Sequence, residues 1–144
     1  MPSLAQRSTE ASTSTGIDPL PAAANLVGRA LIAGLFLHEA WSKFAAYSAA
    51  VAYSEAFGVP GVLLPLAIAL ELLGGLALLV GFQTRIAALL LAGFCIATAA
   101  LFHHKFGDRN QLLHFEKDLA IAGGLLVLFA QGAGAWSVDA LRRR

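Results

Sequence analysis

Only one cysteine, Cys95, occurs in this chain, and it lies inside an apolar run. An internal disulfide and a Cys-x-x-Cys redox pair are both excluded, so any redox role needs another electron carrier. Charge is equally scarce: Lys and Arg number 10, Asp and Glu 9, together 13% of the residues, with a formal net charge of +1. That balance gives no general pull on polyanions, and no basic cluster is interleaved with base-stacking aromatics, so nucleic acid is not an expected partner. What the chain has in surplus is apolar surface. Hydrophobic residues make up 58% of 144, more than one small soluble core can hide, and the remainder has to face lipid. The fold class that follows is all-α, an integral membrane four-helix bundle.

Residues 1–21 carry Ser8, Thr9, Ser12, Thr13, Ser14 and Thr15 with few large apolar side chains. Such a segment cannot offset its ordering entropy by burial and reads as a disordered tail ahead of a membrane domain over 22–144. It also lacks the basic start, apolar stretch and small-residue cleavage site of a secretory signal, so the first apolar helix is expected to stay in the mature protein.

Crossing about 30 Å of hydrocarbon takes roughly 20 helical residues, with every backbone polar group satisfied internally. Segments at about 22–44, 60–82, 85–104 and 115–136 meet that need, the last two with apolar stretches slightly short of the average span. Small residues recur four apart at Ala30 and Gly34, Ala88 and Ala92, and Ala120 and Gly124, a spacing that lets helix backbones approach in lipid. With four spans both termini share one side, together with the turn at Gln83 to Arg85. That side holds Arg7, Arg29, Arg85, Arg142, Arg143 and Arg144, against Lys43, Lys105, Arg109 and Lys117 on the other, which predicts cytoplasmic termini. His38, His103, His104 and His114 then gather at the opposite end.

Glu71 is the sharpest local signal, because a charge near a span centre costs roughly 2.5–3.5 kcal/mol on insertion scales. Its helical face holds Ala67, Gly74, Gly75 and Leu78, so a neighbouring helix or a ligand can come close. Arg29 is the expected partner. Arg29 and Lys43 share a face with Ala33, Phe36 and Ala40, a stripe that should point inward. Lys43 also follows Glu39 by four residues, the spacing of an ordinary helix-end pair. His103 and His104 diverge by roughly 100°, so only one should face the bundle, and the histidine spacing matches no zinc or haem signature. No metal site is assigned. From His103 to Asp118 the chain is mostly polar, and Leu112, Leu113 and Phe115 among the charges suggest a loop lying back over the helix ends as a lid.

Several blocks together resemble the DoxX family of small bacterial four-helix membrane proteins. They are Gly34 to His38 and on to Lys43, Glu71 to Gly81 followed by Thr84 and Arg85, Phe102 with His103, His114 to Asp118, and Gly134 to Asp139. The resemblance runs from about Leu26 to the end, with Asp118 standing where family members often have Asn. It implies a bacterial inner-membrane protein, with relatives in terminal oxidase and thiosulfate:quinone oxidoreductase systems and in oxidoreductase complexes for oxidative stress. Lys43, Glu71, Arg85, His103 and Lys117 are the polar positions that match.

The expected role is a membrane subunit of a quinone-linked redox or oxidative-stress system. No haem, flavin, iron-sulfur or dithiol signature is evident, so catalysis alone is not expected and an oxidoreductase partner is. Quinone is the cofactor such a pocket would suit, needing one donor beside an apolar slot. The candidate ligand-binding or proton-relay residues are Glu71, Lys43, His103, Lys117, Arg29, Arg85, His38 and His114. Two rival readings are a small-molecule carrier, in which a homodimer could supply a second half, and a structural scaffold whose polar residues only fix helix packing.

Overall fold

The computed structural model describes residues 18–143. The expected tail over 1–21 therefore falls mostly outside the described residues, and what is described begins with Asp18. Its carboxylate accepts the Leu20 N–H and caps α1, Pro19–Ala45, which has proline within its first turn. A short α2, Tyr47–Ala56, and a 3₁₀ turn, Gly61–Leu63, lead into α3, Leu64–Val80. Then follow α4, Thr84–Phe102, α5, Arg109–Gln131, and a single-turn α6, Val138–Leu141.

Two boundaries differ from the sequence reading for local reasons. Within residues 45–59, to which no element was assigned, Tyr47–Ala56 form α2, packed against the 3₁₀ turn so closely that a Cβ on Gly61 would meet Val51 and Glu55. The expected lid is not a loop beyond Asp108. That residue accepts the Asn110 N–H at 2.8 Å and starts α5 six residues before the expected boundary, so Leu112, Leu113 and Phe115 lie in its first turns.

The long helices alternate in direction. α1 packs along α3 and α4 along α5, with α3 against α4 joining the two pairs. Adjacent glycines make α3 the central element: a Cβ on Gly75 would sit 3.1 Å from Leu37, and one on Gly74 2.9 Å from Leu91. One glycine thus admits α1 and the next admits α4. Of the recurring small pairs, Ala88 and Ala92 are buried in this seam, whereas Gly34, Ala120 and Gly124 are exposed.

Polarity runs opposite to that of a soluble bundle. Leu31, Leu66 and Leu73 are 72%, 68% and 65% exposed, while Arg29 and Glu71 are 1% and 2% exposed. Lipid is the solvent that makes this distribution favourable. α1, the stretch Gly61–Val80 and α4 are each long and apolar enough to cross a membrane, and α5 runs alongside them with its charged residues confined to its first three turns. One end of the bundle carries Arg29, Arg85, Arg142 and Arg143, and the other the histidines with Arg109.

Candidate functional site

At the histidine-bearing end Lys43 reaches from α1 to α3, its Nζ donating to Glu71 Oε1 at 2.9 Å and to Glu39 Oε2 at 2.9 Å. Glu39 is about half exposed, so the three side chains lead from the surface to a buried carboxylate. Glu71 Oε2 has no hydrogen-bond partner among the described residues. The expected Arg29 to Glu71 pair is not formed. Arg29 lies opposite Leu78, two turns along α3 from Glu71, whereas Lys43 has the length to reach back down its own helix.

A second cluster joins α4 and α5 at the same end. His103 Nδ1 lies 3.1 Å from Gln111 Oε1, its ring stacks on His114 at 5.0 Å, and its Nε2 is 4.0 Å from Asp118 Oδ2. Thr98 donates its hydroxyl proton to the Cys95 carbonyl at 2.9 Å, leaving Asp118 Oδ2 a weaker contact at 3.4 Å. His104 turns outward, edge-on to Phe57. Gly74 meets Leu91, which sets Glu71 near the level of Cys95, so Asp118, beside Thr98, stands about one turn nearer the surface. Among the described residues no three His, Cys, Asp or Glu side chains group as metal ligands.

At the arginine-bearing end Arg29 binds three neutral acceptors. Nε donates to Asn25 Oδ1 at 3.1 Å, Nη1 to the Leu78 carbonyl at 3.0 Å and Nη2 to the Trp136 carbonyl at 2.6 Å. The guanidinium thus ties α1 to the end of α3 and to the chain after α5. Arg85 Nη2 donates to the Ala130 carbonyl at 3.2 Å, closing α4 on α5. Asp139 caps α4 from a distant part of the sequence, its two oxygens accepting Gln83 N–H at 2.9 Å and Thr84 N–H at 3.0 Å.

Burial pushes the Asp139 carboxyl up, but the Thr84 and Gln83 N–H groups together with Arg143 outweigh it and hold the group below its ordinary value. A depressed carboxyl adds stability that is present above the unfolded value and is lost as pH falls through the folded one. Asp139→Asn is expected to cost about 1 kcal/mol at neutral pH. The melting difference from the parent should persist down to about pH 4 and shrink below it, which thermal unfolding in detergent across pH 3–7 would check.

The structure therefore brings Lys43 to Glu71 and His103 to His114, and sets Arg29 and Arg85 at the other end. His38 and Lys117 are exposed, with no side-chain hydrogen bond among the described residues. Asn25, Thr98, Gln111, Asp118 and Asp139 are contributors that the candidate residues left out. Asp118 had a signal in the sequence, as the position where family members often have Asn, whereas Asp139 stands two residues after Ser137, which caps the short α6 by accepting the Ala140 N–H.

Helices with lipid-facing leucines, buried charges and alternating direction define a multi-pass helical membrane protein. The DoxX family model matches residues 24–104, and the chain belongs to the DoxX family. It is 49% identical over 116 residues to inner membrane protein YqjF of Escherichia coli (strain K12), covering 81% of this chain and 89% of that one. It is 29% identical over 121 residues to inner membrane protein YphA of the same organism, covering 79% and 86%. No solved structure matches the chain. Its location is the inner membrane, which it crosses several times.

Proposed function

We propose that the chain is the membrane subunit of a quinone-linked redox system and that Glu71 with Lys43 forms its proton-handling site. The observation that carries this reading is Glu71 Oε2, a buried carboxylate oxygen with no partner among the described residues, beside a donor that reaches the surface. A carboxylate oxygen desolvated without a hydrogen bond is costly, so the site favours a proton or an incoming hydroxyl there. Reducing a quinone to a quinol takes two electrons and two protons. The electrons would come from a partner subunit, and this chain would supply protons along Glu39, Lys43 and Glu71. His103 with Asp118 offers a second donor about one turn nearer the surface.

The test is native mass spectrometry with quinone extraction on protein purified gently from its own membrane, comparing the parent with Glu71→Gln. Quinone bound to the parent and reduced at least about tenfold in the variant is the expected outcome, the loss of one charge-assisted hydrogen bond. Absence of both quinone and a redox partner from the parent would sink the reading.

One observation favours a carrier instead. A groove of about 520 Å³ lies between α1 and α5, its walls including Gly28, Ile32 and Gly124 and its polar end Asn25, Arg29 and Gln131. The two charges expected to hold a ligand together, Arg29 and Glu71, are held apart by two turns of α3, so the groove would act through Arg29 alone. Solute flux into liposomes separates the two readings.

A further inference from the structure

The turn between α3 and α4, the end of α5 and α6 enclose a second recess, of about 350 Å³, walled by Arg85, Arg142, Arg143, Thr84, Asp139 and Gly132 among others. We infer that this recess binds the phosphate of an anionic phospholipid. Each guanidinium is held in place by one neutral contact. Arg85 donates to the Ala130 carbonyl, Arg143 Nε donates to the Asp139 carbonyl at 3.2 Å, and Arg142 lies 5.3 Å over the Phe82 ring. Since a guanidinium has five N–H donors, most of each remains available. Among the described residues none of the three is within salt-bridge distance of a carboxylate. The acid in the recess is committed elsewhere, both oxygens of Asp139 accepting backbone N–H groups of Gln83 and Thr84. The Thr84 hydroxyl is wholly buried in the same wall, on the side of that carboxylate.

Three cations lining one recess with a single, already occupied carboxylate favour an anion, and planar guanidinium forks suit phosphate oxygens. Depth selects the source. The recess sits where α4 begins and α5 ends, at the ends of helices long and apolar enough to cross the membrane or packed alongside them. Phe82, Ile86 and Leu141 beside it expose 43%, 57% and 66% of their surface, an apolar skirt for acyl chains that a free phosphate would not use. A choline headgroup would bring a cation against the arginines, so phosphatidylglycerol is favoured over phosphatidylcholine.

The full chain, exchanged into vesicles of phosphatidylglycerol or of phosphatidylcholine and released into native mass spectrometry, gives the retained lipid directly. The parent should keep phosphatidylglycerol preferentially. Arg85→Gln should lower retention about fivefold, and Arg142→Gln with Arg143→Gln about twentyfold or more, at roughly one surface charge each. Arg109→Gln, an exposed cation at the other end, should leave retention unchanged. Should Arg85→Gln fail to fold through its lost bond to Ala130, the double variant decides alone. Equal retention of the two lipids, or an equal loss with Arg109→Gln, overturns the site. Displacement by glycerol phosphate at the same concentration as by the lipid would assign the recess to soluble phosphates and overturn the lipid.

Discussion

Gly81→Ala is expected to destabilise the bundle by about 3–6 kcal/mol, with a melting midpoint lower by about 10 °C or more. Gly81 ends α3 in the left-handed conformation, φ 73°, where its N–H closes onto the Ala77 and Leu78 carbonyls and Phe82 N–H also returns to Ala77. A side chain there costs roughly 1–2 kcal/mol before any contact is counted. The new Cβ would also collide with the Arg29 guanidinium and stand 2.5 Å from Ser137 Cβ. Neither neighbour can move cheaply. Arg29 is held by Asn25, Leu78 and Trp136, and displacing it gives up hydrogen bonds from a charged group worth roughly 1.5–3 kcal/mol each. Ser137 belongs to the turn that presents Asp139, whose N–H donates to the Gly81 carbonyl at 2.8 Å. One methyl group would therefore loosen α1, the α3 end and the α4 cap together.

Gly93→Ala is the matched control. Gly93 lies within α4 with nothing within 4 Å of a Cβ and an ordinary helical φ, so alanine there should be neutral or stabilising by up to about 1 kcal/mol. Thermal unfolding of both variants in detergent, followed by Trp41 and Trp136 fluorescence, would check the contrast. A Gly81→Ala midpoint within about 2 °C of the parent would mean that Arg29 does not hold this end together.

The inward stripe of α1 was legible because it depends only on helical periodicity: Arg29, Ala33, Phe36 and Ala40 recur on one face, and all four are buried. The face of α3 was legible for the same reason, with Glu71, Gly74, Gly75 and Leu78 inside. What periodicity cannot supply is the register between helices. Arg29 and Lys43 fit the α1 face equally well, and only the vertical placement of α1 against α3, set by Gly75 under Leu37, decides which cation meets Glu71. The Asp139 cap was out of reach for a related reason, since 55 residues separate it from the N–H group of Thr84. The start of α5 was masked by composition. Polar residues from Arg109 to Asp118 read as a loop, yet they are the solvated first turns of a helix whose cap, Asp108, is itself a common loop residue.

Register also decides how unequal the two halves of the Lys43 and Glu71 pair should be. Lys43→Met is expected to cost about 3 kcal/mol, whereas Glu71→Gln should cost about 1 kcal/mol or less. Removing the lysine leaves Glu71, 2% exposed, with neither oxygen hydrogen-bonded and no cation paired with it among the described residues. The carboxyl can shed its charge by binding a proton, which caps the loss below the 5 kcal/mol extreme for a stranded buried ion. Removing the acid leaves Lys43 on Glu39, with a side chain already 26% exposed and able to extend to the headgroups. Lys43→Met combined with Glu71→Leu should then recover most of what Lys43→Met loses, because an apolar pair of similar volume leaves nothing stranded. Melting midpoints of the three variants measure the asymmetry, and equal costs for the two single variants would show that the pair is solvated in the membrane. The same proteins separate a pin from a working group. If the double variant melts like the parent and still binds quinone, Glu71 only fastens α1 to α3. If it melts like the parent and binds none, the carboxylate with the unpartnered oxygen is there for chemistry.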